Sequence, residues 1–424
     1  MIINPLVGKQ RASFELSTAR LNIWDGSVRS SKTISSLMRW LKFVRTAPPG
    51  PLLMVGKTER TLKRNIIDPL IEMLGKQRCR LAAGAGELHL LGRKVYIAGA
   101  YNEGSSDKIR GLSLVGAYVD EASTMPESFW VMLLTRLSIP GAQLFATTNP
   151  DGPQHWLKKN YLDRAALHLD RDGQLHRHHG DDRLNLHRFS FQLADNPNLT
   201  AEYVAAVSAE FTGLWHRRLI LGEWVLAEGV IYESWDPARH VVDELPGITR
   251  WIVMSMDYGT TNPFHALLIG LGVDRRLYVA HEWRWDSKKQ RRSLTDAEYS
   301  AQVRAWAEGL GIRPAYTVID PSAASFRVQL HRDGWSSVLA DNEVVDGIRD
   351  VASLFATGRL LVSDQCPELI AEIPSYAWDP ASAEKGEDKP IKVNDHGADA
   401  LRYGIRTTRA IWHGQLAEPE LTAA

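Results

Sequence analysis

Cysteine is nearly missing from this chain. The 424 residues hold two, Cys79 and Cys366, far apart in sequence. Neither a disulfide framework nor a thiolate metal site is expected, and the composition fits a reducing cytosol. No sign of charge dominates either: Lys plus Arg and Asp plus Glu each number 50. A globally basic nucleic-acid coat is thereby excluded, and contact with DNA has to come from local basic patches. No apolar run is long enough to cross a bilayer. The start, Met1-Ile2-Ile3-Asn4-Pro5, has no basic stretch followed by an apolar one, so no signal peptide is expected. Tryptophan is frequent, at fourteen, but scattered without a repeat period. What is present suits a globular protein: 44% apolar residues are enough for real cores, and the length predicts two or three domains.

The first half alternates short apolar runs with helical patterns. Strands are expected at Leu21–Asp25, Leu52–Val55, Val95–Ala98, Leu114–Val119 and Leu144–Thr148. Apolar residues at Ile34, Leu37, Met38, Leu41 and Val44 predict a helix over Thr33–Val44, and similar spacing predicts one over Thr61–Leu74. Such alternation argues for a mostly parallel sheet with helices on both faces. The polar stretch Leu162–Leu186 reads as an excursion with a hairpin around Asp172-Gly173. Thr200–Leu221 reads as helical with Thr200 as N-cap, and residues 229–250, with Pro237, Pro246 and Gly247, as a connector.

The second half opens with strands at Trp251–Asp257, His265–Val273 and Leu277–Trp285. A helix follows at Ala297–Leu310, then a strand at Ala315–Asp320. Early antiparallel strands followed by strand–helix alternation suggest a ribonuclease-H-like mixed sheet. Pro380–Lys392 reads as a mobile loop and His413–Ala424 as a flexible tail. The expected division is therefore 1–228, with a lid or linker subdomain at about 162–228, then 251–412.

Gly26-Ser27-Val28-Arg29-Ser30-Ser31-Lys32-Thr33 lies between a strand and a helix, the context of a phosphate-binding loop. Such a loop needs backbone N–H groups aimed at phosphate, a Lys for the β/γ charges and a hydroxyl for Mg²⁺. Lys32 and Thr33 supply the last two. Ser31 stands where the usual motif has Gly, and it tolerates positive φ less well. Asp120 closes the strand from Leu114 and is placed to hold Mg²⁺ through water, and Glu121 to polarise the attacking water. The spacing permits these two strands to be neighbours. Thr147-Thr148-Asn149 ends the next strand and can sense the γ-phosphate. Arg29 and Arg110 are each candidates to stabilise transition-state charge, and either also reads as a surface arginine.

Asp257 and Asp320 each end a strand. Asp395, His396 and Asp399 stand at the start of a helix, Asp395 and Asp399 one turn apart and facing the same way. Carboxylates from two strands and one helix can gather two Mg²⁺ or Mn²⁺ ions. His396 is a candidate ligand or proton shuttle, or an ordinary helix-start histidine. Asp395 and Glu282 are further candidate ligands, and Asp395 alone also reads as an N-cap. Lys288-Lys289-Gln290-Arg291-Arg292 is a basic run able to track phosphates. The histidines at 168, 176, 178, 179 and 187 are too scattered to read as a metal site, and solvent exposure is expected of them.

In this order the motifs resemble the large subunit of a tailed-bacteriophage terminase. The matching pieces are Gly26–Thr33, Asp107-Lys108-Ile109-Arg110-Gly111, Asp120-Glu121-Ala122, Thr147-Thr148-Asn149-Pro150, Asp195-Asn196-Pro197-Asn198-Leu199, Gly222-Glu223-Trp224, Asp257-Tyr258-Gly259, Asp320-Pro321-Ser322 and Asp395–Tyr403. The resemblance implies a P-loop ATPase domain of the additional-strand, conserved-glutamate, RecA-like type, joined to a ribonuclease-H-like nuclease. It implies Glu121 as catalytic base, Thr148 and Asn149 as coupling residues, and Asp257, Asp320 and Asp399 as nuclease acids with His396 near them. Arg110 aligns with an arginine that reaches a neighbouring subunit's ATP in some members, and Arg29 with the loop's own, so the finger is open between them. ATP and Mg²⁺, with Mn²⁺ also serving the nuclease, are the implied cofactors. The implied partners are double-stranded DNA, a small terminase subunit, the portal of a procapsid and further copies in a ring, usually a pentamer, with no membrane. The implied location is the host cytoplasm and, transiently, the portal vertex, but not the mature virion. A scaffold that has lost cutting, and a helicase-like ATPase with an unrelated nuclease, are the competing readings. The full set of acids and their order favour the packaging motor.

Overall fold

The computed structural model describes residues 5–82, 86–260 and 262–418. The reading of Met1–Asn4 and of the tail from 419 onward lies outside these residues. The chain clusters into two compact units. The first takes the chain up to Val204, returns for His216–Leu226 and adds Glu384–Gly386; the second holds Ala205–Trp215, Ala227–Ala383 and the chain from Glu387.

The first unit is built on one sheet of β1 (Leu21–Gly26), β2 (Leu52–Gly56), β3 (Cys79–Ala82), β4 (Glu87–Leu90), β5 (Arg93–Gly99), β6 (Gly116–Val119), β7 (Gln143–Thr148), β8 (Ala165–Leu169), β9 (Leu175–Arg177) and β10 (Leu184–Phe191). Its spatial order is β3-β4-β5-β2-β6-β7-β1-β10-β8-β9. From β5 to β8 every neighbouring pair is parallel, and an antiparallel hairpin closes each edge. Side chains alternate across this sheet. Ile23, Val55, Ala117 and Val119 pack into one core with Phe129 and Trp130, and Trp24, Met54 and Tyr118 into another with Trp40 and Phe43. Both faces are therefore covered, as the near-continuous apolar runs of a buried parallel sheet require.

Several expectations change here. β6 does not lie beside β1, because β7 is inserted between them. The stretch read as a polar excursion runs into β10, which pairs along the whole of β1. Its Arg188 is carried among core residues because Asp25 accepts two of its hydrogen bonds, at 3.0 and 2.6 Å. The helix expected at Thr61–Leu74 is broken by a π turn at Lys63–Ile67, and that expected at Thr200–Leu221 stops at Ala209 and resumes as a short turn and a π turn at His216–Ile220. Thr200 does cap, accepting from the Tyr203 N–H. Of the histidines, 176, 178 and 179 are exposed, but His168 bonds Ser190 and His187 the Leu16 carbonyl. Burial is the largest cause holding the His168 imidazole down at about 4.

The second unit has one mixed sheet of β11 (Val241–Val242), β12 (Ile248–Asp257), β13 (Phe264–Gly272), β14 (Leu277–Trp285), β15 (Tyr316–Ile319), β16 (Val338–Leu339) and β17 (Leu360–Ser363), in the order β11-β17-β14-β13-β12-β15-β16. β12, β13 and β14 form an antiparallel meander, and β15 joins β12 in parallel. This is the ribonuclease-H-like arrangement. The helix His396–Thr407 lies on β12 and β13, with its residues from Gly397 to Ile405 buried. In the stretch expected to be a mobile loop, Pro380–Ala383 is helical and Trp378 bridges Pro390. Beyond Trp412, the Gln415 and Leu416 carbonyls accept from Arg275. No helix among the described residues is long and apolar enough to cross a membrane.

Candidate active sites

Gly26 ends β1 with φ of +144°, and a Cβ there would lie 2.0 Å from the Phe191 carbonyl oxygen, so only glycine allows the turn. The chain then passes through Arg29 and Ser31, both at positive φ, into the helix Lys32–Thr46. Ser31 has φ 67 and ψ 8, the left-handed conformation for which the usual motif has glycine. Its hydroxyl accepts from the Gln10 side chain at 2.8 Å, an anchor glycine would lack. Ser31→Ala is expected to destabilise the first unit by about 1–2 kcal/mol, because the strain stays and the anchor goes. Ser31→Gly should stay within about 1 kcal/mol of the parent, trading the anchor for relief of strain. Urea unfolding checks both, and equal losses would remove the strain argument.

The loop opens on a cavity of about 670 Å³ lined by Arg29 through Thr33, Asp120, Glu121 and Thr147 through Asn149. Lys32, 7% exposed, donates to the Ser27 carbonyl at 2.9 Å and to Asn149 Oδ1 at 2.7 Å. Burial pushes its ammonium down to about 8, against the pull of Asp120, Glu121 and Asp25. Asp120 accepts from Thr147 Oγ1 at 2.9 Å; burial raises its carboxyl above the usual range, opposed by Thr147 and Lys32. Glu121 sits at φ 55, ψ 53, a conformation costly for a non-glycine residue and found where function constrains the backbone. Thr148 Oγ1 accepts from the Ser123 N–H at 3.1 Å, so β7 braces the turn that carries Glu121.

The structure brings together most, not all, of the residues expected here. Arg29 lines the cavity. Arg110 does not, and pairs with Asp107 on an exposed surface. Ser27 and Val28 also stay off the cavity wall, their N–H groups donating to the Phe191 and Leu219 carbonyls. Three residues that sequence reasoning passed over join the site. Gln10 holds Ser31, Asn65 on the π turn lines the cavity with Asp120 and helps hold its carboxyl down, and Asn196 donates to the Arg29 carbonyl at 2.7 Å. Only Asn196 belonged to a motif; Gln10 and Asn65 carry no local signal.

In the second unit Asp257, Asp320, Asp395, His396 and Asp399 line one cavity of about 820 Å³, with Lys288, Lys289 and Lys392 on its wall. His396 Nδ1 and Asp257 Oδ2 are 2.8 Å apart. Burial, helped by Asp399 and Asp320 and opposed by His396, raises the Asp257 carboxyl above the usual range. Burial disfavours charge on His396, but Asp257, Asp395 and Glu372 leave its imidazole above the ordinary value. Asp320 accepts from the Ser322 N–H and hydroxyl. Asp399 accepts from Tyr376, Arg402 and Lys392. Lys392, in the stretch read as a loop, places its ammonium 2.7 Å from Asp399 and 3.1 Å from Asp395.

Among the described residues no three His, Cys, Asp or Glu side chains already form a closed chelating set. A lysine ammonium lies between two of the acids. That position draws a cation, and the hard oxygen donors around it fit Mg²⁺ or Mn²⁺. Glu282 is not brought to this cavity. It accepts from the Glu368 and Leu369 N–H groups and from His265, so it caps the helix Pro367–Glu372. Glu372, which the sequence did not single out, lines the cavity and bonds Arg284 and the Gly397 N–H.

The chain is similar to known proteins. Residues 25–235 match the family model described as terminase large subunit, T4likevirus-type, N-terminal. The chain is 34% identical to the large terminase of a thermophilic bacteriophage, solved in complex with ADP, over 95% of this chain and 99% of that one with a TM-score of 0.83. The same terminase in complex with ATP-gamma-S matches at 34% identity and a TM-score of 0.82, over 94% of this chain and 98% of that one. The terminase large subunit of Escherichia phage T5 is 25% identical over 381 residues, 86% of this chain and 80% of that protein. With both cavities built from the expected motifs, and a relative this similar over nearly its whole length, the chain belongs to the phage large terminase family.

Proposed function

We propose that this chain packages viral double-stranded DNA into a procapsid by ATP-driven translocation and cuts concatemeric DNA with a two-metal nuclease. The observation that carries the reading is Lys32, a buried ammonium at the wall of a cavity it shares with Asp120, Glu121 and Asn149. Such a charge is destabilised by burial until an anion arrives. Lys32 would meet the β/γ-phosphates, the Thr33 hydroxyl and Asp120 would hold Mg²⁺, and Glu121 would polarise the attacking water. Arg29, already on the cavity wall, suits transition-state stabilisation within one subunit; Arg110, exposed, suits a neighbour's site in a ring.

In the nuclease unit Asp257, Asp320 and Asp399 would hold two divalent ions, with His396 and Asp395 alongside and Lys392 moved aside. The ions, when bound, would supply an activated water and charge compensation at the leaving 3′ oxygen. Asp257 orients His396, which is placed to carry a proton at Nδ1. Lys288 and Lys289 would take DNA phosphates at the cavity rim. The partners of this reading are a small terminase subunit, a portal and further copies, usually five, at the portal vertex in the host cytoplasm. Displacement of a triplex-forming oligonucleotide from linear duplex DNA tests it. Displacement is expected with ATP and a packaging-competent portal, and not with ATPγS. Equal displacement with both nucleotides would end the motor reading.

A further inference from the structure

The stretch His216–Leu226 clusters with the first unit, while the chain on both sides of it, Ala205–Trp215 and Ala227 onward, clusters with the second. It is fastened to the nucleotide site at several points. The Leu219 carbonyl accepts from the Val28 N–H at 2.9 Å. The π turn His216–Ile220 shifts the helical ladder by one residue and presents that carbonyl outward. Gly222, at φ +69°, lies so close that a Cβ would sit 3.0 Å from the Ser27 nitrogen and the Phe191 oxygen. The Trp224 indole N–H donates to Asp25 Oδ2 at 2.9 Å. These fastenings all hold to the phosphate loop and its strand.

One fastening holds to a different element. Arg218 is 2% exposed. One edge of its guanidinium lies 3.3 Å from Asp151 Oδ1. Nε and Nη2 donate to the Val225 carbonyl at 3.1 and 2.6 Å. Asp151 follows Asn149 by two residues, with Pro150 and its fixed φ between them. Asn149 is the residue that takes the Lys32 ammonium.

We infer that Arg218 is a positioning residue that carries the state of the nucleotide site from the end of β7 to the stretch where the chain passes between its two units. This rests on the nucleotide-site reading above. When a γ-phosphate occupies Lys32, Asn149 loses its partner and the end of β7 is free to shift. The rigid, planar guanidinium passes that shift to the Val225 carbonyl. The Leu219 and Trp224 fastenings stay with the phosphate loop and its strand, so the shift pulls Arg218 and Val225 against them.

Amide hydrogen exchange of the full chain with ADP and with ATPγS tests this. In the parent, protection of Leu219–Val225 is expected to differ between the two nucleotides by about fivefold or more. In Asp151→Asn, whose site is partly exposed and so tolerant, that difference should fall below about twofold, with ADP affinity within about threefold of the parent. Asp151→Glu should restore part of it. A purely structural role would lower protection equally with both nucleotides, and that result, or an unchanged difference in Asp151→Asn, overturns the inference. Absence of nucleotide-dependent protection at residues 29–33 of the parent would overturn the nucleotide site itself.

Discussion

Lys32→Ala lowers ATP turnover by about a thousandfold or more without lowering the stability of the protein. Both halves of that expectation come from burial. In the free protein the Lys32 ammonium is held down to about 8 from 10.5, mainly by desolvation. At about 1.4 kcal/mol per pKa unit, its charged form is disfavoured by roughly 3 kcal/mol. Removing it relieves that cost, so the unfolding midpoint should hold or rise. In the proposed function the same charge meets the β/γ-phosphates, and among the described residues lining the cavity only Arg29 is also cationic. Glu121→Gln separates the roles: ATPγS binding by calorimetry is retained while phosphate release falls by about 10²–10⁴. Turnover within tenfold of the parent in Lys32→Ala would place hydrolysis elsewhere. Plasmid cutting by either variant should be unaffected in the absence of ATP.

Asp257→Ala abolishes metal-dependent cutting of plasmid DNA and leaves ATP turnover intact. Burial above all, and then repulsion from Asp399 and Asp320, raises the Asp257 carboxyl. A cation relieves that repulsion, so the divalent ion and the acids stabilise each other. Losing one ligand from the shared site forfeits several kcal/mol of charge stabilisation in the transition state, and about 4 kcal/mol is a thousandfold in rate. Asp257→Ala also removes the partner of His396. Asp257→Asn keeps a hydrogen-bond partner for the imidazole while losing the charge, and should be as inactive. Supercoiled plasmid with Mg²⁺ or Mn²⁺ is the assay. Retained nicking in both variants would take the nuclease away from these acids.

The two sites were legible to different depths. Strand and helix periods around Lys32, Asp120 and Asp257 are local properties, and most expected elements lie within a few residues of the observed ones. Ser31 is informative in both directions: its departure from glycine was visible in sequence, and the left-handed backbone it was expected to resist is the one it adopts. What offsets the strain is Gln10, a residue from another helix with no motif of its own. The broken helices at Lys63–Ile67 and His216–Ile220 were not legible, because a π turn keeps the apolar spacing almost unchanged. β10 was missed because the stretch up to Leu186 read as a polar excursion and His187 as solvent-facing, whereas the Leu16 carbonyl and Asp25 give His187 and Arg188 partners.

By itself the sequence determined the chemical inventory: a lysine and hydroxyl after a glycine turn, an Asp-Glu pair at a strand end, and acids distributed over two strands and a helix. These follow from short-range spacing, which a chain carries wherever it folds. Tertiary structure alone decided that β7 separates β1 from β6, that Arg29 and not Arg110 faces this chain's own cavity, that Glu282 caps a helix, and that Lys392 lies where a cation is drawn. Strand order and side-chain convergence depend on pairings between separate elements of the chain, and no local period records which of those pairings buries the most apolar surface while leaving each buried charge with a partner.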